Sequence, residues 1–155
     1  MMNKRLWLGV LVASVATVSA ALAVSWAPDR SAQSLMARWA PVGSASQFVT
    51  VRGMQVHVRD EGPRTGDELI VLLHGIGDSL HTWDGWAREL SKTRRVIRFD
   101  LPGHGLTGPY QGEWLAGGES YVMLNDAKFV VATLDALKVS QPVVLGGNSL
   151  GAQIA

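Results

Sequence analysis

The feature that most constrains this fold is a Gly-x-Ser-x-Gly pentapeptide at residues 147–151, directly after the apolar run Val143 to Leu145. The run predicts a short buried strand, and the pentapeptide predicts a very tight turn from that strand into a helix. In such a turn Ser149 takes a strained backbone conformation that lifts its hydroxyl off the sheet. Gly147 and Gly151 suit the flanking positions, because side chains there would make the strand and the helix collide.

A glycine-rich turn between a strand and a helix can instead bind a phosphate group. The dinucleotide fingerprint needs glycine where Asn148 stands, and the P-loop needs Gly-Lys-Ser/Thr where residues 151–153 read Gly-Ala-Gln. Neither pattern fits. A nucleophile elbow and a plain structural turn remain open, since a five-residue pattern recurs by chance. In the elbow, the backbone N–H of Leu150 lies at a helix start and is free to stabilise an oxyanion.

Composition excludes several classes of function. The chain of 155 residues has 14 Lys and Arg against 13 Asp and Glu, and no basic block, so nucleic-acid binding has no support. The absence of cysteine excludes disulfides, thiol catalysis and thiolate metal sites. Four scattered histidines form no ligand cluster. We therefore predict neither a metal nor a cofactor.

An uncharged apolar stretch, Leu6 to Val24, follows the basic pair Lys4 and Arg5. It suits a secretory signal, for which Ala21-Leu22-Ala23 supplies a cleavage site, and it also reaches the length of a transmembrane anchor, which we slightly favour. The basic pair favours a cytoplasmic N-terminus, so we expect the remainder to be membrane-anchored or exported. Residues 1–26 form this segment, 27–46 a linker with a possible short helix at 31–39, and 47–155 a domain.

The domain alternates predicted strands and helices, which favours an α/β fold with a mostly parallel sheet and an antiparallel margin. His57 lies between two valines of a strand, and we predict that it faces solvent, whereas Trp83 and Trp86 share a core-facing helix side. The predicted strands are Phe48–Val51, Met54–Val58, Leu69–Leu73, Arg95–Phe99 and Val143–Leu145, and the predicted helices are Thr82–Ser91 and Ser120–Leu137, the latter capped by Ser120.

Three motifs, each at the end of a predicted strand, stand in a fixed order: His74-Gly75-Ile76-Gly77, Asp100-Leu101-Pro102-Gly103-His104-Gly105 and Gly147-Asn148-Ser149-Leu150-Gly151. Their order resembles the α/β-hydrolase fold superfamily, in its serine-nucleophile branch. The resemblance covers roughly Phe48 to Ala155 and implies the N-terminal part of that fold, preceded here by one hydrophobic helix.

The resemblance makes Ser149 the nucleophile and the backbone N–H groups of Ile76 and Leu150 the oxyanion hole. It makes His74, Gly75, Gly147 and Gly151 residues that shape the motifs, with His74 holding the backbone of its loop. The chemistry agrees, because a serine hydroxyl needs a base to become nucleophilic and the attacked carbonyl needs preset donors.

The remaining candidates are less suited to catalysis. We expect His104 to occupy a loop position beside the sheet, His81 to be exposed at a helix entry, and Asp100 to shape its loop, as the equivalent aspartate does in the family.

In this family the acid and the histidine follow the serine along the chain, and this sequence ends six residues after Ser149. We therefore expect the N-terminal part of a serine hydrolase that cleaves an ester bond, or a related acyl or carbon–carbon bond, of a small ester-like molecule through an acyl-enzyme. We expect the chain as given to be inactive. The alternative is a non-catalytic, membrane-tethered remnant or interaction module. Substrate identity and oligomeric state are not predicted.

Overall fold

The computed structural model describes residues 4–66, 68–115 and 121–155, and the chain divides into two compact units. The first unit extends to Ser31 and contains helix α1, Lys4–Ser25. From Trp7 to Ser25 the mean hydropathy is 2.1 and none of the window is buried. The helix is therefore long and apolar enough to cross a membrane or to serve as a signal sequence, as the sequence predicts.

The second unit, Ala32–Ala155, contains a five-stranded sheet with helices and loops around it. The strands are β1 (Ser46–Val51), β2 (Met54–Glu61), β3 (Leu69–Leu73), β4 (Arg95–Phe99) and β5 (Val143–Gly147). The helices are α2 (Ala32–Trp39), α3 (Asp84–Leu90), α4 (Met123–Ala136) and α5 (Leu150–Ile154), with short 3-10 helices at Leu80–Trp83 and Gly112–Leu115.

The strands lie in the order β1-β2-β4-β3-β5. The strand β2 pairs antiparallel with both β1 and β4, whereas β3 pairs parallel with both β4 and β5. This arrangement confirms the predicted mixed sheet with an antiparallel margin. Because β3, β4 and β5 are parallel, the loops that follow them leave the sheet at one edge, and ligands of open α/β sheets bind at that edge.

The strand β3 is apolar throughout because both of its faces are covered. Leu69, Val71 and Leu73 belong to the main core, which includes Phe129 of α4. Leu72, between them, packs in a smaller cluster with Ala87 of α3. The continuous apolar run therefore reflects a central strand.

Two helices differ in detail from the predictions. The 3-10 helix before α3 turns the chain differently from an α-helix, and Trp83 packs partly against the smaller cluster while Trp86 is 64% exposed. The prediction that Trp86 lies in the core is therefore wrong. In α4 the helical spacing of apolar residues predicts one buried stripe, formed by Ala127, Val130, Val131, Leu134 and Leu137. The structure buries Phe129 and Val130, but Val131 is exposed. The predicted cap Ser120 lies outside the described residues.

Candidate active site

The turn after β5 places Ser149 at φ 51° and ψ −114°, a backbone region that non-glycine residues rarely adopt. A Cβ on Gly147 would lie 2.2 Å from the backbone carbon of Gly151, and a Cβ on Gly151 would lie 2.2 Å from the carbonyl oxygen of Leu73. Both distances are far inside van der Waals contact. The strained serine therefore depends on glycine at both flanking positions.

Hydrogen bonds hold this turn against the neighbouring strand. The Asn148 N–H donates to the Leu73 carbonyl at the end of β3 over 3.1 Å, and the N–H groups of Ala152 and Gln153 donate to the Ser149 carbonyl. Ser149 itself is exposed, and Leu150 is the first residue of α5. Ser149 therefore stands on a hydrogen-bonded turn at the carboxyl end of β5.

The loop after β3 lies beside Ser149. A Cβ on Gly75 would lie 3.1 Å from the Ser149 Cβ, so the two backbones approach closely at this glycine. The Ile76 side chain is 77% exposed. Within the part of the chain that the structure describes, the Ile76 N–H donates to no backbone carbonyl of a turn or loop. Two of the residues that the sequence assigns to one site, Gly75 and Ser149, are therefore adjacent.

His74 fixes the direction of the peptide that joins Gly75 to Ile76. This fully buried histidine receives the Leu101 N–H at Nε2 over 2.9 Å, so its proton is on Nδ1, which donates to the Gly75 carbonyl over 2.8 Å. The Asp78 N–H reaches the same carbonyl over 3.3 Å. Because a peptide is planar and trans, a fixed Gly75 carbonyl also fixes the Ile76 N–H, which points the opposite way.

The tautomer of His74 makes it a neutral hydrogen-bonding residue. Burial lowers its pKa below the ordinary histidine value, against the opposing effect of the hydrogen bond to Gly75. Both ring nitrogens are occupied by backbone groups. This geometry holds the backbone of the loop, and it leaves no nitrogen for proton transfer.

His57 is fully buried, so the prediction that it faces solvent is wrong. Its neighbours Val56 and Val58 point into the core, but the opposite face of β2 is also covered. There the His57 Nδ1 lies 2.8 Å from the Asp100 Oδ2, and its Nε2 lies 2.9 Å from the Ser46 Oγ. Alternation along a strand indicates which face a residue occupies, but not what covers that face.

Asp100 joins three segments through one buried carboxylate. Its Oδ1 accepts the Leu80 N–H over 2.7 Å, and its Oδ2 accepts the Leu106 N–H over 2.8 Å as well as the bond from His57. Burial opposes ionisation, but these hydrogen bonds outweigh it and hold the pKa of Asp100 below its usual range. A Cβ on Gly105 would lie 2.1 Å from the same Oδ2, so this loop wraps tightly around the carboxylate.

The other two histidines bond elsewhere. The His81 Nδ1 lies 3.2 Å from the Asp84 Oδ2, and its side chain is only 15% exposed against Trp39, so the expectation of an exposed His81 is wrong. The half-buried His104 donates from Nδ1 to the Pro102 carbonyl over 3.0 Å. Each of the four histidines therefore makes its hydrogen bonds to groups other than Ser149.

A cavity of about 610 Å³ lies beside the loops that follow β3 and β4, and its lining includes Gly77 but not Ser149. Leu35 and Trp39 of α2 line one side, and Asp100 and Leu106 line another. Within the described residues, no group of three or more His, Asp or Glu side chains is arranged to hold a metal ion. Trp39, Asp78, Asp84 and Asp100 give the cavity an aromatic and carboxylate lining.

Comparison with known proteins agrees with this architecture. A family model described as alpha/beta hydrolase fold matches residues 68–155, which include all three motif loops and Ser149. Fold and site together define the class: this chain belongs to the alpha/beta hydrolase fold family.

Individual relatives are much longer than this chain. It is 32% identical over 115 residues to the dihydrolipoyllysine-residue acetyltransferase component of the acetoin cleaving system of Cupriavidus necator, which covers 72% of this chain and 28% of that protein. It is 33% identical over 112 residues to the 2-hydroxy-6-oxo-2,4-heptadienoate hydrolase of Pseudomonas putida, covering 70% and 37% respectively.

A solved structure, the enol-lactonase from Burkholderia xenovorans, matches with a TM-score of 0.56 and 29% identity, covering 68% of this chain and 38% of that one. The chain thus spans between 28% and 38% of the length of these three proteins.

Proposed function

We propose that this chain carries the nucleophile and the oxyanion site of a serine hydrolase that cleaves small ester-like molecules through an acyl-enzyme. The observation that carries the proposal is the Ser149 turn, in which a serine at positive φ stands between two glycines that cannot bear a Cβ. Such strain at an exposed nucleophile is typical of a functional turn rather than a connecting one.

In the proposed reaction the Ser149 Oγ attacks the carbonyl carbon of the substrate and loses its proton to a base. The N–H groups of Leu150 and Ile76 donate to the oxyanion that forms. His74 acts as a positioning residue, because it holds the carbonyl of the peptide that contains the Ile76 N–H. Collapse of the tetrahedral intermediate expels the alcohol, and water then attacks the acyl group and restores the serine.

The base and its carboxylate partner are proposed to lie outside these 155 residues. In this fold they follow the serine in chain order. The four histidines of this chain make their hydrogen bonds elsewhere. We therefore propose that the 155-residue chain by itself hydrolyses simple esters too slowly to measure through Ser149.

Two relatives support the class of substrate. By name, one relative acts on an enol-lactone and another hydrolyses 2-hydroxy-6-oxo-2,4-heptadienoate, and both of these molecules contain a carbonyl group. The elbow and its oxyanion donors are suited to attack on such a carbonyl carbon.

The test is hydrolysis of p-nitrophenyl esters by the product of the whole reading frame that contains these residues. We expect Ser149→Ala to lower kcat by at least about 10³-fold, because nothing else in the site forms the acyl-enzyme. Ser140→Ala, at an exposed serine before β5, is the matched control and should retain turnover. Full activity of the Ser149→Ala enzyme would refute the proposal.

We also propose that α1 directs the chain to a membrane, either as an uncleaved anchor or as a cleaved signal, with Lys4 and Arg5 on the cytoplasmic side. The helix composition and the charges before it support this. Fractionation of expressing cells, with the N-terminus determined by mass spectrometry, separates the two cases. Intact protein in the soluble cytoplasmic fraction would contradict both.

A further inference from the structure

We infer that Ser46, His57 and Asp100 form a second reactive site, in which Ser46 accepts an acyl group from small aryl esters. This site is independent of Ser149 and of the proposal made for it. All three residues lie within the second unit of the chain, on β1, on β2 and directly after β4.

The hydrogen bonds run in the direction that activates a serine. Asp100 accepts two backbone N–H groups and remains a carboxylate, so it can only accept from His57. When the His57 ring is neutral, its one proton is therefore on Nδ1, which lies 2.8 Å from the Asp100 Oδ2. The Nε2 is then an acceptor, and the hydroxyl of Ser46, 2.9 Å away, donates its proton to it.

Arg59 adds a positive charge at the hydroxyl. Its Nε–H donates to the Ser46 Oγ over 3.0 Å, and its Nη2 donates to the Trp39 carbonyl over 3.3 Å. A cation beside the oxygen stabilises the negative charge that develops as the proton leaves. The serine thus has a base on one side and a cationic donor on the other.

The base and the carboxylate of this site are buried, whereas the serine is partly exposed. His57 and the Asp100 side chain are shielded from water, being 0% and 1% exposed. Ser46 is half-buried and so remains within reach of solvent. Phe48 stacks on the His57 ring, with 5.2 Å between the ring centroids, and holds its orientation.

The neighbouring cavity indicates the class of acyl donor. Asp100 lines the cavity of about 610 Å³, and so does Trp39, whose carbonyl contacts Arg59. The indole suits an aromatic leaving group, and the carboxylates of Asp78 and Asp84 in the same lining disfavour an anionic one. A small neutral aryl ester fits both features.

The step balances without a further reactant. The Ser46 Oγ attacks the acyl carbon, the Oγ proton moves to the His57 Nε2, and the carbon–oxygen bond to the aryl group breaks. The phenolate leaves and takes the proton from His57, so the products are acyl-Ser46 and a phenol. Water can later remove the acyl group as a carboxylic acid by the same route.

The experiment is acetylation of the Ser149→Ala form of the 155-residue chain by p-nitrophenyl acetate, with the chain purified in mild detergent. Mass spectrometry of tryptic peptides locates the acetyl group and gives its rate. We expect Ser46 to react at least about 10²-fold faster than Ser44, the matched serine two residues away, since a positioned base contributes that much. Ser46→Ala should abolish the signal.

Two comparisons separate activation from simple exposure. His57→Phe keeps a ring on Phe48 but removes the base, and it should lower acetylation of Ser46 to the rate of Ser44. If that variant does not fold, the same chain in urea serves instead, because unfolding should equalise the two serines. Equal rates for Ser46 and Ser44 in the native chain would overturn the inference, whatever the fate of Ser149-dependent turnover.

Discussion

Ser149 and Ser46 lie in one domain, but they differ in their surroundings: the backbone is specialised around Ser149, and the side chains are specialised around Ser46. At Ser149 the backbone is prepared, with a strained turn and the proposed donors of Ile76 and Leu150, but the four histidines bond elsewhere. At Ser46 the side chains are prepared, since His57 and Asp100 stand in line behind it. The backbone geometry at Ser149 depends on adjacent residues, whereas the hydrogen-bonded relay of Ser46, His57 and Asp100 depends on contacts between residues far apart in the sequence.

Replacing Asp100 by Asn should have the largest effect on the free energy of unfolding. It breaks the hydrogen bond that links Asp100 to His57 and leaves the turn at Ser149 intact. The amide would present donors to the Leu106 N–H and to His57, which are donors themselves. Hydrogen bonds to charged groups contribute about 1.5–3 kcal/mol each, so we expect a loss of about 3–5 kcal/mol in the free energy of unfolding.

Urea denaturation measures this loss. Asp135→Asn, at an exposed position of α4, is the control and should change the unfolding free energy by less than about 0.5 kcal/mol. Similar stability of the two variants would show that the Asp100 carboxylate does not hold its loops.

His74→Phe should act on the other serine. The ring shape is kept, but the Gly75 carbonyl loses its donor and the Ile76 N–H its fixed direction. We expect Ser149-dependent kcat to fall about 10²–10³-fold with KM little changed, as when one oxyanion donor is lost, while acetylation of Ser46 continues.

His104→Phe is the matched variant for that experiment. The His104 ring lies 5.2 Å from the His74 ring, but within the described residues its hydrogen bond goes to the Pro102 carbonyl and not to the loop after β3. Its kcat should fall less than about tenfold. An equal loss in both variants would mean that His74 acts through packing alone.

Gly146 and Gly147, neighbours at the end of β5, differ in the space around them. A Cβ on Gly147 would meet backbone atoms of Gly151 at 2.2 Å, whereas a Cβ on Gly146 would meet the movable Leu72 Cδ2 at 3.2 Å. We expect Gly147→Ala to lower the unfolding free energy by about 1–3 kcal/mol or more and Gly146→Ala by less than about 1 kcal/mol. Thermal unfolding of both variants checks this order, and its reversal would contradict the steric account of the elbow.

Lowering the pH is the mildest perturbation, because protonation removes the charge of a carboxylate without changing the shape of the side chain. Burial raises the pKa of Asp60, Asp84 and Asp100, but hydrogen bonds from Arg95, Arg98 and His57 respectively outweigh it, so each pKa lies below its usual value. Carboxylates of this kind stabilise the fold above a pH of about 3.9, and that contribution is lost as the pH falls through their folded-state values.

The free energy of unfolding should therefore decrease below about pH 4. Denaturant titrations between neutral and acidic pH measure the slope, and the slope should be smaller in Asp100→Asn. A stability that is constant down to low pH would contradict the direction of these pKa shifts.

Features formed by adjacent residues could be predicted from the sequence, whereas contacts between distant residues could not. The order of strands, the mixed sheet and the close approach of Gly75 to the Ser149 turn follow from short motifs and apolar runs, which each occupy a few adjacent residues. The alternation of polar and apolar residues along β2 predicts that His57 faces solvent, although it is buried. Its partners Ser46 and Asp100 lie 11 and 43 residues away, and no local pattern indicates such a pair.

Trp86 shows a second limit, of a geometric kind. Helical spacing predicts a core-facing side for Trp83 and Trp86 together, but a 3-10 helix ends at Trp83 and changes the rotation per residue there. An N-cap by Ser79 begins that 3-10 helix, and the following residues are displaced around the axis. The sequence indicates that a helix exists more securely than it indicates which side chains the helix buries.

The carboxylate of Asp100 also makes two remote loops a single cooperative unit. The amide hydrogens of Leu80 and Leu106 end on the two oxygens of one side chain. A movement of Asp100 that exposes one of these amides to solvent also exposes the other. We therefore expect amide hydrogen exchange at both positions to proceed through the same opening event. The slowest local opening at this end of the sheet would then be the displacement of the Asp100 side chain, and not the separate opening of the two loops.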